Sequence, residues 1–311
     1  MNPGENRIDA RDWSLLGLLS VLWGGSFFFN GVLLRELPPL TVVFLRVALA
    51  AFMLLPLLWV YGIRLPRGAA GWAPFFAIGL LNNVLPFSLI VMGQTYIPSG
   101  LASILNATTP LFTVVVMAVA GEERLHTRRI AGVIVGLIGV VILHGEGLDG
   151  QGLDGKAFGL ATGQGIGILL CLAAAFSYGL AALVARRLLS NSPPLATATF
   201  QMLASVIMMT VVCGVVERPW QLPMPDMTTW LAAIGLAALS TALAYVVFFQ
   251  ILRRSGATNV MLVTLLIPVT ALLLGYLVLG ESISPREIVG ALVIGSALLL
   301  IDGRVLKLLR R

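Results

Sequence analysis

Between residues 13 and 303 the chain is a succession of apolar runs, and nearly all of its charge lies in the short breaks between them or at their ends. Most runs approach the roughly 20 residues that an α-helix needs to cross a bilayer. They fall at 13–34, 40–61, 72–94, 99–120, 130–144, 163–185, 195–216, 229–252, 257–279 and 287–303, the fifth being short. With 58% hydrophobic and 11% charged residues and a mean hydropathy of +0.97, nothing is left over for a water-soluble domain. The pattern predicts an all-α integral membrane protein with ten transmembrane helices.

The runs repeat. Trp72 and Trp230, Pro110 and Pro268, Glu123 and Glu281, Arg128 and Arg286, and Gly132 and Gly290 all stand 158 positions apart, with no gap between them. Trp23 and Tyr178, Gly24 and Gly179, and Pro38-Pro39-Leu40 and Pro193-Pro194-Leu195 stand 155 apart. The units are a first five-helix repeat, 1–146, a Gly-rich linker, 147–162, and a second repeat, 163–311. Five helices is an odd number, so the second repeat starts on the opposite side of the membrane and the two are inverted. Inverted repeats are the structural basis of alternating access, because exchanging the conformations of the halves turns an inward-open shape into an outward-open one.

Lys and Arg set the orientation, since cytoplasmic loops keep positive charge. Arg7, Arg11, Arg64, Arg67, Arg124, Arg128, Arg129, Arg186, Arg187, Arg253, Arg254, Arg304, Lys307, Arg310 and Arg311 fall on one side, against Arg35, Lys156, Arg218 and Arg286 on the other. Both termini are therefore expected in the cytoplasm. The same asymmetry accounts for the net charge of +6, which argues against a nucleic-acid partner. Cys171 and Cys213 lie within apolar runs without metal or disulfide spacing and read as packing residues. The first run is long, follows an acidic leader and has no clear cleavage site, so it reads as a retained helix rather than a signal peptide. Two glycine-rich stretches resemble binding loops only weakly: 145–155 has too few ligands in register for calcium, and Gly163-Gln164-Gly165 follows no strand as a phosphate loop would.

Trp23-Gly24-Gly25-Ser26, the Pro-Pro turn with Arg46 after it, Pro110 with Gly121-Glu122-Glu123-Arg124-Leu125, and Pro268 with Gly280-Glu281-Ser282-Ile283-Ser284 resemble the EamA-type drug/metabolite transporter superfamily, over nearly the whole chain. Among its members the sequence is most similar to bacterial aromatic amino-acid exporters. The resemblance implies a multi-pass protein of the bacterial inner membrane that carries a small metabolite. It also implies that the fifth and tenth helices, with Gly132, Gly136, Gly139, Gly290 and Gly295, pack at the periphery.

Polar groups inside a membrane must be satisfied by protein, water or substrate, so those at mid-helix are candidates for the pathway. Asn82 and Asn83 have Ser240 and Thr241 as repeat mates, Phe87 has Tyr245, and Asn106 has Thr264. Trp23, Tyr178 and Tyr245 lie near helix middles with Phe28, Phe248 and Phe249 close by, where a flat substrate ring could stack on them. Trp13, Trp59, Tyr61, Trp72, Trp220 and Trp230 lie near run ends, where aromatic rings anchor an interface. The alternative for each polar or aromatic group is helix packing. Arg46 is the one unambiguous charge inside a run. It either snorkels towards the outer mouth or grips a substrate carboxylate in a two-pronged contact. Its repeat mate is the neutral Gln201. Pro110 and Pro268 predict kinks or hinges suited to gating. Glu123 with Arg128, and Glu281 with Arg286, predict capping and ion pairing at helix turns.

No Asp or Glu stands at mid-helix, His126 and His144 are poorly placed as proton relays, and no nucleotide loop is present. The expectation is a transporter without catalytic residues, metal or cofactor, whose partners are the bilayer and a small-molecule substrate and for which a monomer suffices. Facilitated export of aromatic or other neutral amino acids fits best. Drug-like compounds, sugars or nucleotide sugars are the main alternative, and an integral-membrane lipid-modifying enzyme is a distant one.

Overall fold

The computed structural model describes residues 10–123, 127–144, 163–255, 260 and 262–302. The Gly-rich segment and linker, the loop with Arg124 and His126, and the side chains of Arg128, His144 and Phe249 lie outside the described residues. In chain order the helices are α1 (Ala10–Leu33), α2 (Pro39–Val60), α3 (Gly68–Gly93), α4 (Ser99–Val119), α5 (Thr127–His144), α6 (Gly163–Leu188), α7 (Pro194–Val216), α8 (227–255), α9 (Val263–Leu279) and α10 (Pro285–Asp302). Among the described residues, seven helices are long and apolar enough to cross a membrane, namely α1 to α4 and α6 to α8. Two shorter apolar segments lie in α5 and α9.

Local sequence explains where the helices start. α2 and α7 both open on the second residue of a Pro-Pro pair, where a fixed φ suits the first turn and the missing N–H would have had no partner. α8 opens at Asp226, whose carboxylate accepts the Thr229 N–H at 2.6 Å. That backbone bond is the first reason the Asp226 carboxyl titrates below its ordinary range.

α3 and α8 are not regular throughout. Each contains a wide π-turn, Leu80–Val84 in α3 and Ala238–Leu243 in α8, at matching places in the two halves. Such turns shift helical phase and leave carbonyls without their usual partner. Side chains take up the slack. Ser177 Oγ donates to the Leu81 carbonyl at 2.8 Å, Ser205 Oγ reaches the Gly79 carbonyl at 3.3 Å, and Thr241 Oγ1 donates to the Leu236 carbonyl at 3.0 Å.

The packing pairs come in mates. α1 packs on α9 and α6 on α4; α3 packs on α7 and α8 on α2; α3 packs on α6 and α8 on α1. α2 meets α7, and α5 meets α10 to one side. Glycines allow the close crossings. A Cβ at Gly93 in α3 would stand 2.8 Å from Cys171 Sγ, and one at Gly167 in α6 would stand 3.0 Å from the Gly93 carbonyl. The outside is apolar, with Phe52, Trp59, Val119 and Val215 exposed, whereas Asn83, Ser103, Thr199 and Ser205 are fully buried. That is the inverse of a water-soluble protein and suits a lipid surround.

Carboxylates fasten one end of the bundle across the halves. Glu217, after α7, accepts the Leu40 and Thr41 N–H groups of α2 at 2.9 and 2.6 Å. Glu36, after α1, accepts the Asp226 N–H and the Thr229 hydroxyl, both at 2.9 Å. Glu281, after α9, accepts the Ser99 and Gly100 N–H groups of α4 at 2.9 and 3.3 Å. The opposite end uses ion pairs: Glu122 with Arg186 and Arg187, Glu123 with Arg129 and Arg186, and Asp12 with Arg254. The Arg187 hydrogen bond holds the Glu122 carboxyl below the usual carboxylate range. Glu217→Ala is expected to lower stability by about 1–2 kcal/mol, since it strips two first-turn donors of α2 of their acceptor. Glu217→Gln should lose less, because an amide oxygen still accepts. Thermal unfolding in detergent checks both.

Candidate substrate site

Arg46 sits in the second turn of α2 and is buried, with only 7% of its surface exposed. Its Nε donates to Thr241 Oγ1 at 3.1 Å, in the π-turn of α8. Thr241 spends its own proton on the Leu236 carbonyl, so its lone pairs remain for Arg46. The guanidinium carbon lies 3.7 Å from the centre of the Phe87 ring, a cation–π contact from α3. Among the described residues no carboxylate pairs with Arg46. The titratable groups within electrostatic range of it are the phenols Tyr178 of α6 and Tyr245 of α8.

The repeat mate of Arg46 is neutral and sits in a polar setting of its own. Gln201 of α7, buried at 3% exposure, accepts from Asn82 Nδ2 at 3.2 Å and donates to the Tyr245 hydroxyl at 3.3 Å. Asn82 Nδ2 also lies 3.5 Å from that hydroxyl. Arg46 thus meets Phe87 and Thr241, while Gln201 meets Asn82 and Tyr245, the repeat mate of Phe87. Gln201 was named in the sequence only as the mate of Arg46; its place in the site was missed, because an amide in an apolar helix reads as packing. The inverted repeat itself was the available signal. Ser205, one turn further along α7, was also missed. It accepts from Asn83 Nδ2 at 3.0 Å and donates to the Gln201 carbonyl at 2.7 Å.

Six of the sequence candidates have no described hydrogen bond to Arg46 or Gln201: Trp23, Asn83, Asn106, Tyr178, Ser240 and Thr264. Trp23 of α1 stacks on Phe248 at 5.6 Å with a 40° tilt. Among the described residues, the buried Ser240 hydroxyl, beside Thr241, has no hydrogen-bond partner, and neither do Asn83 Oδ1 and Asn106 Oδ1. Thr264 is half-buried near the start of α9. Tyr178 touches both large apolar clusters of the core, which places it between the Trp23 side and the Arg46 side.

The two prolines behave differently. α4 is interrupted at Ala107 and Thr108, just before Pro110, and restarts at Thr109. The Asn106 carbonyl, which Pro110 cannot reach, takes the Thr109 hydroxyl at 2.7 Å, and the Leu105 carbonyl takes the Thr108 hydroxyl at 2.6 Å. Pro268 lies buried inside an unbroken α9 segment. Glu123 pairs with Arg129 and Arg186, and Glu281 engages backbone N–H groups of α4.

The site has a front and a back. Leu101 to Leu105, in the first half of α4, are buried against α9, whereas Phe112, Thr113 and Val114 in the second half are half-buried. Asn82, Tyr178 and Tyr245 are half-buried too, although they lie at mid-helix among inward-facing groups. α4 is therefore more deeply buried where it begins than in its second half.

A model of the EamA-like transporter family matches residues 12–144 and 165–302. The chain is 28% identical to a protein of Salmonella typhimurium named a probable amino-acid metabolite efflux pump, over 94% of each chain. It is 27% identical to a protein of the same name from Escherichia coli, again over 94% of each. An uncharacterized transporter of Bacillus subtilis is 25% identical, over 90% of this chain and 93% of that one. A solved crystal structure shares the fold at a TM-score of 0.65 and 19% identity, covering 97% of this chain and 100% of the other. Two family matches, one in each half, on a helical chain with an apolar exterior and a buried polar centre, make this a multi-pass membrane transporter that belongs to the EamA-like transporter family.

Proposed function

We propose that this transporter exports aromatic or other neutral amino acids across a bacterial inner membrane by alternating access. On this reading it crosses the bilayer ten times, as inverted halves 1–146 and 163–311 joined by 147–162, with both termini in the cytoplasm and the start of α4 at the outer face. It acts as a monomer and catalyses no reaction. The observation that carries the reading is Arg46, a buried cation on the Phe87 ring and within electrostatic reach of Tyr178 and Tyr245, with no carboxylate paired to it among the described residues. A cation near mid-membrane is costly unless something compensates it, and a substrate carboxylate is the missing partner. The rings around it suit a flat side chain. Asn82, Asn83, Gln201, Ser240 and Thr241 supply neutral hydrogen-bonding groups, with Trp23, Asn106 and Thr264 lining the rest of the path. The closed outer end and half-buried centre fit an inward-facing state. Pro110, at the break in α4, and Pro268 serve as hinges.

The purified protein reconstituted alone into liposomes tests this through uptake of labelled Phe, Trp, Leu and Thr against empty vesicles. Saturable uptake favouring Phe and Trp is expected without an imposed proton gradient. Absence of amino-acid flux, with or without that gradient, overturns the substrate reading.

A further inference from the structure

The charge balance of the centre goes further than the choice of an aromatic side chain. Arg46 brings one positive charge, and the polar groups described with it, Thr241, Tyr178 and Tyr245, are neutral, as are Asn82 and Gln201, which bond to Tyr245. The ion pairs described, of Glu122, Glu123 and Asp12 with arginines, lie at the opposite end of the bundle from Glu281, and none involves Arg46. A carboxylate entering the site neutralises it. An ammonium on the same solute must give up water for neutral acceptors only; among the described residues, Asn83 Oδ1 and Ser240 Oγ, next in sequence to Asn82 and Thr241, have no hydrogen-bond partner. A charged group desolvated that way is penalised even when hydrogen-bonded.

We infer that the carboxylate is the essential part of the substrate and the ammonium is dispensable, so that the best-bound solute is an aromatic acid carried as a net monoanion. This rests on Arg46 being the substrate site. It has a consequence for the driving force. A monoanion leaving a cell whose interior is negative moves down the membrane potential, and 100 mV corresponds to a distribution of about 50-fold for one charge. No membrane-embedded acid is then needed for coupling, which fits the absence of Asp and Glu from the middle of every apolar run. A solute with an ammonium and no carboxylate is repelled by Arg46.

The test uses three probes that share one ring system: phenylalanine, 3-phenyllactate, in which a hydroxyl replaces the ammonium, and phenethylamine, which lacks the carboxylate. Efflux from proteoliposomes is measured at neutral pH with the potential clamped by a potassium gradient and valinomycin, and leak is subtracted with empty vesicles. Phenyllactate is expected to saturate at a concentration at least ten-fold lower than phenylalanine. Its distribution should follow an inside-negative potential, approaching the 50-fold limit, while that of phenylalanine stays flat and phenethylamine is not carried. Arg46→Gln, which makes the position match its repeat mate, should abolish phenyllactate flux, and Arg46→Lys should keep it potential-dependent but weaker. Saturable phenylalanine flux with no phenyllactate flux, or phenyllactate flux blind to potential, overturns the inference and leaves the amino-acid reading standing. Flux of neither acid, or preference for phenethylamine, overturns both.

Discussion

Arg46→Met is expected to remove transport while leaving the folded protein about as stable as before. The structure puts Arg46 in a position where its contribution to the fold nearly cancels. Keeping a guanidinium near mid-membrane costs about 2.5–3.5 kcal/mol. Against this stand one charge-assisted hydrogen bond to Thr241, worth about 1.5–3 kcal/mol, and the Phe87 contact, about 0.5–2 kcal/mol. Methionine gives up all three terms, fills much of the same volume and adapts to irregular gaps. The thermal midpoint in detergent should therefore move by no more than a few degrees. Substrate binding has no such offset, because removing one partner of a desolvated charge pair costs about 2–5 kcal/mol, or at least roughly 30-fold in affinity. Flux measured at a substrate concentration near the wild-type half-saturation point reads that loss. If Arg46 is instead a structural residue, the midpoint falls sharply and flux falls only in proportion to the folded fraction. A site that holds a cation without a described counter-ion in the ground state is ready for a ligand that supplies one.

Much of this centre was visible before the structure, and the reason is the solvent. In an apolar run a single charge or amide stands out, so Arg46, Asn82, Asn83, Ser240 and Thr241 were legible one by one, and the repeat made Phe87 and Tyr245 a pair. What sequence did not convey was which of them touch. Arg46 of α2 reaches Thr241 of α8, and Asn82 of α3 reaches Gln201 of α7. Those contacts depend on π-turns at 80–84 and 238–243, which rotate the polar side chains out of the phase of a regular helix. The prolines show a second limit. Pro110 and Pro268 look equivalent, but Pro110 follows Thr108 and Thr109, whose hydroxyls take the carbonyls that the break leaves behind, whereas Pro268 follows Leu266 and Ile267, which have no hydroxyl to offer. α4 breaks and the segment around Pro268 does not. The glutamates show a third. Spacing along the chain pointed Glu123 at Arg128 and Glu281 at Arg286. Glu123 reaches across to Arg186 of α6, and Glu281 to the start of α4, partners that lie 63 and 182 positions away and that spacing does not convey; the Arg128 side chain lies outside the described residues.

That last contact carries the second large prediction, which concerns the closed end of the pathway. Gly280, in the left-handed region at φ 71°, turns the chain after α9 and sends Glu281 back across the bundle. Its carboxylate lies over Gly275, where any Cβ would collide with it, and accepts the Ser99 and Gly100 N–H groups at the positive end of α4. Ser99 is tied in further: its hydroxyl accepts from Gln94 at 3.0 Å, while Gln94 also donates to the Phe27 carbonyl and accepts from Asn30, both at 2.9 Å. Close packing completes the seal, since a Cβ at Gly31 would stand 3.1 Å from Ser99 Oγ and 2.9 Å from Leu279. Of these contacts, those of Glu281 with the Ser99 and Gly100 N–H groups run directly between the end of α9 and the start of α4, so they must part if the two helices separate here, and they are charge-assisted. Glu281→Ala removes charge-assisted bonds worth about 1.5–3 kcal/mol, enough to shift a two-state equilibrium about ten- to hundred-fold towards the open form. With Cys171 and Cys213 replaced by Ala, a cysteine introduced at the fully buried Ala102 reports on the change. A membrane-impermeant maleimide added on the side where α4 begins should label Ala102→Cys at least about ten-fold faster in the Glu281→Ala background than in its absence. Glu281→Gln, which still accepts one of the two N–H groups, should fall between them. Equal labelling in all three would mean that the apolar seal around Gly31 and Gly100 keeps this end shut without the carboxylate.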